Sequence, residues 1–202
     1  MTVLLATHNP HKAEELAAML RGSFGLEVIT MRDLPVEIDE PEEDGATLEE
    51  NAYIKARTIQ TATGMTVIAD DTGLEVDALN GAPGVFSARF SGADATYESN
   101  CRLLLERLGS LPTDRRTASF RSVLCWCDPF RTVMAEGRVE GTIAEEMRGS
   151  EGFGYDPLFV PQGENRTFAE MSAEEKNGIS HRGRAIAALQ TLLAPLLADA
   201  EG

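Results

Sequence analysis

Two adjacent carboxylates interrupt an otherwise apolar stretch in the middle of the chain. The segment VIADDTGLEV, residues 67–76, places Asp70 and Asp71 directly before Thr72 and Gly73. Two such carboxylates can hold Mg²⁺, which takes one or two of them together with oxygens of a phosphate substrate. Neighbouring residues of a strand point to opposite faces, so the pair can share an ion only if the chain turns. Gly73 favours a turn, and we expect one here.

Two other interpretations of this stretch stay open. The tripeptide Asp71-Thr72-Gly73 is the one on which aspartic proteases are built, and their active site needs two aspartates that share a proton. The chain contains one copy of it, so a protease would have to be a homodimer. The simplest alternative is a solvated polar turn at the end of a strand.

The N-terminal segment THNPHK, residues 7–12, has the composition of an anion site. Asn9 is a favoured N-cap residue, and Pro10 is favoured at the first position of a helix. The free N–H groups and the dipole at a helix N-terminus attract phosphate. Thr7 and Lys12 add a hydroxyl group and a positive charge. The spacing is not that of a P-loop, and the plainer alternative is an ordinary cap of a surface helix.

An acidic segment, EIDEPEEDG at residues 37–45, precedes the next predicted helix. Glu42, Glu43 and Asp44 lie directly before Gly45. The helix dipole favours carboxylates at this place, so a solvated loop explains them without any site. The functional interpretation is that one of them is a further metal ligand.

The segment EGFGYDP, residues 151–157, is rich in glycine and aromatic side chains. Glycines on both sides of Phe153 leave its ring face open to a flat partner such as a nucleobase. Tyr155 and Asp156 complete the turn. The alternative is a packed aromatic turn without a ligand.

The segment EEKNGISHRGRA, residues 174–185, brings several donors together in the sequence. Lys176, His181 and Arg182 are expected to converge near the start of the last helix, with Ser180 as its N-cap. The Lys and Arg side chains only donate, which suits phosphates or the carbonyl group of an oxidised purine. A histidine at a helix start is more often structural, so His181 depends on its neighbours for a functional interpretation.

Hydrophobic periodicity and caps predict the elements that position these segments. Thr47 and Glu50 form a predicted capping box at the start of one helix. The predicted strands cover residues 3–6, 26–30, 66–69, 74–77, 117–127, 131–140 and 158–160, and the predicted helices cover 10–22, 47–62, 95–108 and 180–197. Strand–helix–strand order at the start and a hairpin later predict a single α/β domain over residues 1–202 with a mixed sheet.

The composition narrows the class of protein. With 43% hydrophobic and 25% charged residues, the 202-residue chain has the balance of a globular protein. Eighteen basic against 33 acidic residues give a net charge of −15, which disfavours binding to a nucleic-acid polymer but leaves room for a local anion pocket. No apolar run is long enough for a membrane span or a signal peptide. We therefore expect a cytoplasmic protein with neither a nucleic-acid nor a membrane partner.

These segments, in this order, resemble one family: the inosine triphosphatase-like enzymes, which are pyrophosphatases of non-standard purine nucleoside triphosphates. The matching blocks extend from residue 4 to about residue 185: LLATHNPHK, EEDGATLEENAYIKA, IADDTGLEVDALNGAPGVFSARFSG, GFGYDPLF and EMSAEEKNGISHRGRA. The resemblance implies Mg²⁺-dependent hydrolysis of ITP, dITP and XTP to the monophosphate and pyrophosphate. It also implies an elongated mixed β-sheet flanked by helices, two lobes with the active cleft between them, and a homodimer.

The resemblance assigns a role to individual residues. Asp71 corresponds to the general base or metal-binding acid, with Asp70 beside it and Glu43 as a further metal ligand. The residues expected to contact the substrate are Thr7, His8, Asn9, Pro10, His11, Lys12, Lys55, Thr72, Phe153, Gly154, Tyr155, Asp156, Lys176, His181 and Arg182. Of these, Thr7, Asn9, Lys12 and Lys55 are expected to hold the triphosphate, and Phe153 is expected to pack on the base. Lys176, His181 and Arg182 are expected to recognise the purine edge and its 6-oxo group.

Two rivals to this assignment belong to other classes. One is the homodimeric protease, and the other is a nucleotide-binding regulatory protein with a degenerate site. Peptide cleavage at acid pH without Mg²⁺ would indicate the first, and binding of ITP without turnover would indicate the second.

Overall fold

A computed structural model describes residues 1–24, 26–39 and 41–198 of the chain. The helices in these ranges are α1 (Pro10–Phe24), α2 (Leu48–Thr63), α3 (Tyr97–Leu108), α4 (Ala173–Ile179) and α5 (His181–Ala198). The strands are β1 (Thr2–Leu5), β2 (Glu27–Thr30), β3 (Val67–Val76), β4 (Pro83–Gly84), β5 (Thr117–Cys127), β6 (Thr132–Ile143) and β7 (Phe159–Pro161).

The strands form one mixed sheet in the order β2-β1-β3-β5-β6-β7, with β4 paired to β3. Strand β1 is parallel to both β2 and β3, whereas β4 and β7 are antiparallel to their partners. Helices α1 and α2 connect the three parallel strands, as parallel pairing requires. The predicted α/β class with a mixed sheet is confirmed.

The chain divides into two compact units. The first unit contains residues 1–71, 122–137 and the chain from 182 onward, and the second contains residues 72–121 and 138–181. The chain passes from the first unit to the second within β3, between Asp71 and Thr72. The single domain over residues 1–202 stays a prediction.

The core of the first unit lies between α1, α5 and one face of the strands. Leu16 and Leu20 of α1 and Leu189 of α5 are buried against Leu5 and Ile68. Because side chains alternate along a strand, Asp70 lies on the same face of β3 as Ile68, and Asp71 lies on the other. The alternation of side chains along β3 therefore directs Asp70 toward α1 and Asp71 toward α2.

The core of the second unit is more aromatic. Phe120, Phe159 and Phe168 lie in contact with one another, with ring centroids 4.8–6.2 Å apart. Leu74 and Leu104 belong to the same buried cluster. This cluster supports the glycine-rich turn that follows β6.

The predicted turn at Gly73 is wrong, because β3 runs without interruption from Val67 to Val76. Glycine is needed at position 73 for a steric reason: a Cβ atom there would lie 2.7 Å from the carbonyl oxygen of Gly84. Strand β4 approaches β3 at this point, and only glycine leaves room for it. The condition for Asp70 and Asp71 to share one ion is therefore not met.

The ends of two helices differ from the prediction. Helix α1 continues through Gly22 to Phe24, since a glycine in a helix lowers its stability without ending it. Thr47 caps α2 as predicted, but the Glu50 carboxylate accepts from the Ala46 N–H, 2.6 Å away. The Thr47 contact of the predicted capping box is therefore present, whereas the Glu50 carboxylate binds the N–H of Ala46 and not that of Thr47.

Helix α4 is an element that the sequence prediction missed. Its N-cap is Ser172, and Ser172 and Glu175 form a reciprocal capping box. Ser180 is the C-cap of α4, and its N–H donates to the Lys176 carbonyl. Its backbone is extended and it directly precedes His181, the first residue of α5, so it also stands at the N-cap position predicted for the last helix. The Ser-x-x-Glu spacing is a signal from which α4 could have been predicted.

Candidate functional site

The turn between β1 and α1 has the predicted helix cap. The Asn9 Oδ1 accepts hydrogen bonds from the N–H groups of His11 and Lys12, at 3.1 and 3.2 Å, and Pro10 begins the helix. Thr7, two residues after β1, is buried, and its hydroxyl accepts from the Asn9 N–H at 3.2 Å. The Asn9 side chain thus takes up the N–H groups of His11 and Lys12 that were expected to be free for an anion, and the helix dipole and Lys12 are the attractions that remain.

The two histidines of this turn are on the surface. The His8 imidazole lies 3.1 Å from the Ile38 carbonyl oxygen and ties the turn to the segment after β2. His11 is exposed in the first turn of α1. Their predicted contact with substrate stays a prediction.

Asp70 is fully buried and paired with the lysine of the turn. The Lys12 ammonium lies 3.0 Å from its carboxylate. Burial alone would raise the pKa of Asp70, but Lys12, Lys55 and Arg182 outweigh it and lower the pKa to about 2. Asp70 is therefore an ionised anchor for Lys12 at any physiological pH.

Arg182 is also buried in the first unit. Its guanidinium contacts the carboxylate of Glu15 at 2.9 Å. Glu15 lies three residues after Lys12 on α1, so the two side chains share one face of this helix. That face therefore carries the Lys12 ammonium and the carboxylate that binds Arg182. Sequence reasoning missed Glu15, and its spacing from Lys12 is the signal that was available.

Asp71 faces α2, one turn of which provides two contacts. The Asn51 amide nitrogen donates to Asp71 Oδ2 at 3.1 Å, and the Lys55 ammonium lies 3.7 Å from Asp71 Oδ1. The same ammonium donates to the Glu43 carboxylate at 2.5 Å. Lys55 thus joins two carboxylates that are 28 positions apart in the chain. Asn51, which sequence reasoning missed, stands four residues before Lys55 on the buried face of α2, and this spacing could have identified it.

The pKa values of Asp71 and Lys55 are both raised, but for different reasons. Burial raises the pKa of Asp71, and the nearby Glu43 and Asp70 add to the effect against the opposing charges of Lys55 and Lys12. Burial would lower the pKa of Lys55, but Asp70, Asp71 and Glu43 outweigh it and raise the pKa. A carboxylate with a raised pKa is suited to accept a proton.

The donor set fits a metal ion that is completed by a phosphate substrate. Within the described ranges, no group of three or more His, Cys, Asp or Glu side chains could hold an ion by itself. Glu43 and Asp71 nevertheless both contact one cationic group, the Lys55 ammonium. Two hard carboxylate ligands around a cationic position match Mg²⁺, which uses substrate oxygens for its remaining ligands. Asp70 faces Lys12 instead.

In the second unit, the predicted base-binding turn is organised by Asp156. Its carboxylate accepts from the Phe153 N–H at 2.9 Å and from the Lys176 ammonium at 2.8 Å. Gly152 has a φ of +72°, and a Cβ atom there would overlap the Asp156 carboxylate. The glycine is therefore required for the turn, and both Asp156 and Lys176 are buried as an ion pair.

The ring of Phe153 lies against a cation and a second ring. The Lys176 ammonium is 5.0 Å from its centroid, and the Tyr97 ring is 5.9 Å away at an angle of 39°. Phe153 is half-buried. A cation over a ring face is an attractive contact that holds both groups in place.

Two further hydrogen-bonding contacts hold Gly154 and Tyr155 of this turn in place. The Tyr155 hydroxyl donates to the Ser87 carbonyl at 2.9 Å, and the Cys101 thiol lies 3.3 Å from the Gly154 carbonyl. Gly154 has a φ of +65°. Thr72, on β3, is half-buried.

His181 is stacked on an aromatic ring. It is buried, with its ring 4.6 Å from that of Phe120 and inclined by 11°. Lys176 and His181 also both lie beside Phe168, at 5.9 and 6.5 Å. These two members of the predicted cluster are thus brought together within the second unit, whereas Arg182 belongs to the first.

No helix in the part of the chain that the structure describes is long and apolar enough to cross a membrane.

Comparison with known proteins gives one consistent result. The model of the Ham1 family matches residues 3–192. A dITP/XTP pyrophosphatase of Thermoanaerobacter sp. (strain X514) is 45% identical over 193 residues, which are 96% of each chain. One of Mycobacteroides abscessus is 47% identical over 200 residues, 98% of this chain and 97% of the relative. The solved structure of the Staphylococcus aureus Ham1 protein superposes with a TM-score of 0.84 at 39% identity, covering 96% of this chain and 99% of that one.

Proposed function

The chain belongs to the Ham1 family, and we propose that it is a nucleoside triphosphate pyrophosphatase that hydrolyses dITP, ITP and XTP in the presence of Mg²⁺. The observation that carries this proposal is the similarity, over nearly the whole chain, to proteins named dITP/XTP pyrophosphatase. The cluster of Glu43, Lys55 and Asp71 supports it, because this cluster has the groups that phosphoryl chemistry needs.

The first unit provides the groups for the triphosphate. Thr7 and Lys12 offer a hydroxyl group and a positive charge beside the N-terminus of α1, whose dipole favours an anion. Lys55 adds a second ammonium group. These donors would neutralise the charge of the leaving pyrophosphate as it develops.

Glu43 and Asp71 would hold Mg²⁺ between them and the phosphate oxygens. When bound, the ion would polarise the phosphate and stabilise charge on the leaving group. Asp70 would act through Lys12, because it lies on the opposite face of β3 and its carboxylate is paired with that ammonium.

Asp71 is suited to direct the attack. Its carboxylate would accept a proton from a water molecule while the water oxygen forms a bond to the α-phosphorus. The bond from that phosphorus to the bridging oxygen breaks, and pyrophosphate leaves with the bonding electron pair.

The second unit provides the groups for the base. Phe153 would pack on the purine ring, and Lys176 and His181 would approach its 6-oxo edge. A lysine can only donate, so a 6-oxo group satisfies it and the 6-amino group of ATP does not. Unsatisfied donors of this kind can reject the wrong substrate by several orders of magnitude.

A panel of triphosphates tests the proposal. We expect release of pyrophosphate from ITP, dITP and XTP with Mg²⁺, much slower release from ATP and GTP, and none after addition of EDTA. Release of orthophosphate, equal rates on ATP and ITP, or binding of ITP without turnover would contradict it. Peptide cleavage at acid pH would instead support the protease alternative, for which the family gives no support.

We also propose that the protein is a cytoplasmic homodimer that cleanses the nucleotide pool. Size-exclusion chromatography with light scattering tests the dimer, which predicts about twice the chain mass of 21.9 kDa. A mass equal to that of one chain would contradict it.

A further inference from the structure

We infer that Asn51 is a positioning residue that holds both carboxylates of the proposed metal site in register. Its amide binds Asp71 directly and, through Gly45, the loop that carries Glu43. The inference rests on the proposed function and deepens it, since it names the residue that assembles the two metal ligands.

The Asn51 side chain is completely buried and uses both ends of its amide. The nitrogen donates to Asp71 Oδ2 at 3.1 Å, and the oxygen accepts from the Gly45 N–H at 2.9 Å. A backbone N–H can only donate and an ionised carboxylate can only accept, so these partners allow one orientation of the amide. Rotation of the amide would break both contacts at once.

Gly45 is fitted closely to this amide. A Cβ atom on Gly45 would lie 2.6 Å from Asn51 Oδ1 and 2.8 Å from Glu50 Cβ. The next residue, Ala46, donates its N–H to the Glu50 carboxylate. The acidic loop is thus fastened to the first turns of α2, two residues after Glu43.

Lys55 connects the same two partners by charge, which is a different kind of contact. Its ammonium contacts Glu43 and Asp71 Oδ1, where a bound cation would compete with it. The Asn51 amide is neutral and occupies the other oxygen, Asp71 Oδ2. It can therefore maintain the distance between loop and strand with or without a cation, which is how partners of metal ligands raise metal affinity.

The experiment compares three variants. Asn51→Leu keeps the shape of the side chain and removes both hydrogen bonds. Gly45→Ala displaces the loop without removing a polar group. Gly22→Ala is the matched control, because it is the same substitution at a position where the added Cβ atom would have no atom within 4 Å. Two quantities are measured without substrate: Mn²⁺ binding by electron paramagnetic resonance, and hydrogen exchange of the residue 45 amide by NMR.

We expect Asn51→Leu to weaken Mn²⁺ binding by roughly 10- to 100-fold and to speed exchange at residue 45 by roughly 2- to 10-fold. Gly45→Ala should shift both quantities in the same direction by less, and Gly22→Ala should change neither. Wild-type Mn²⁺ affinity in Asn51→Leu would overturn the inference. If that variant does not fold, wild-type affinity in Gly45→Ala would do so. Absence of pyrophosphate release by the unsubstituted chain would defeat the proposed function, but the Mn²⁺ and exchange comparison would still decide the role of Asn51.

Discussion

The two compact units bury their charged groups in different surroundings. In the first unit, Asp70 and Asp71 are opposed by lysines on two different helices, α1 and α2. In the second, the Asp156–Lys176 pair lies beside the aromatic ring of Phe153. The first arrangement controls charge and proton affinity, which chemistry on phosphates requires. The second controls shape and the direction of donors, which recognition of a flat base requires.

The adjacent aspartates show how finely the first unit separates roles. The pKa of Asp70 falls to about 2 and that of Asp71 rises, although they are neighbours in the sequence. Asp70 faces the Lys12 ammonium at 3.0 Å, whereas the Lys55 ammonium lies 3.7 Å from Asp71. Carboxylates whose pKa values are moved apart in this way have separate roles in many active sites.

The largest expected effect comes from removing the proton acceptor of the first unit. Asp71→Asn keeps the size of the side chain but has no charge and little basicity. We expect pyrophosphate release from ITP and from ATP to fall alike, by roughly 10²- to 10⁴-fold. A steady-state assay measures this, with circular dichroism and a thermal melt as the control for folding. Activity near that of the unsubstituted chain would remove Asp71 from the catalytic role.

Buried cysteines provide one probe in each unit. Burial raises the pKa of Cys101, in the second unit, and of Cys125, in the first, from an ordinary 9.0 to about 12. At pH 8 the thiolate fraction of each is therefore roughly 10³-fold lower than in an exposed thiol. Variants that retain one cysteine at a time should react slowly with a thiol reagent, and the rate should still rise above pH 9, where an exposed thiol levels off.

The raised pKa values of Cys101 and Cys125 also make the stability of the protein depend on pH. The unfolded thiols lose their protons first, so the free energy of unfolding should fall as the pH rises above 9. Rapid reaction of either thiol at pH 8 would mean that its unit opens readily, and would show which of the two units is the less stable.

Selectivity should depend on the second unit. Lys176→Gln retains a donor for Asp156, but a glutamine amide can also accept from the 6-amino group of ATP. We expect the ratio of kcat/KM for ITP over ATP to fall by roughly 10- to 100-fold, with a smaller change in kcat on ITP. Equal losses on both substrates, as expected for Asp71→Asn, would remove the distinction between the units.

The smallest effect is expected at the cap of α2. Thr47→Ala removes the acceptor of the Glu50 N–H and should lower the free energy of unfolding by about 1 kcal/mol. Chemical denaturation measures this. The ratio of ITP to ATP turnover should stay unchanged, since the cap lies in the first unit. A change in that ratio would contradict the assignment of selectivity to the second unit.

The sequence predicted most of the local structure. Asn9 and Thr47 are caps whose signals lie within three residues of the groups that they bind, so both could be identified without the fold. The strand through Asp70 and Asp71 was interrupted in the prediction because glycine usually marks a turn. Here Gly73 is explained by Gly84, which β4 places against it, and only tertiary structure shows that approach.

The candidate site was predictable as a set of residue types but not as a set of contacts. The five matching blocks identified the acidic and basic residues. They could not show that Asp70 pairs with Lys12 and that Asp71 faces α2, because this depends on which side of β3 each helix lies. The spacing of Asn51 and Lys55 indicates that both lie on one face of α2, but only the fold shows that the Asn51 amide contacts Asp71 and Gly45.

A competition assay tests the central claim most directly. The protein is incubated with equimolar ITP and ATP in excess Mg²⁺, and all phosphorus-containing products are followed by ³¹P NMR. We predict that ITP is converted to the monophosphate and pyrophosphate while ATP remains. Consumption of both at similar rates, or orthophosphate as the first product of ITP, would contradict the account.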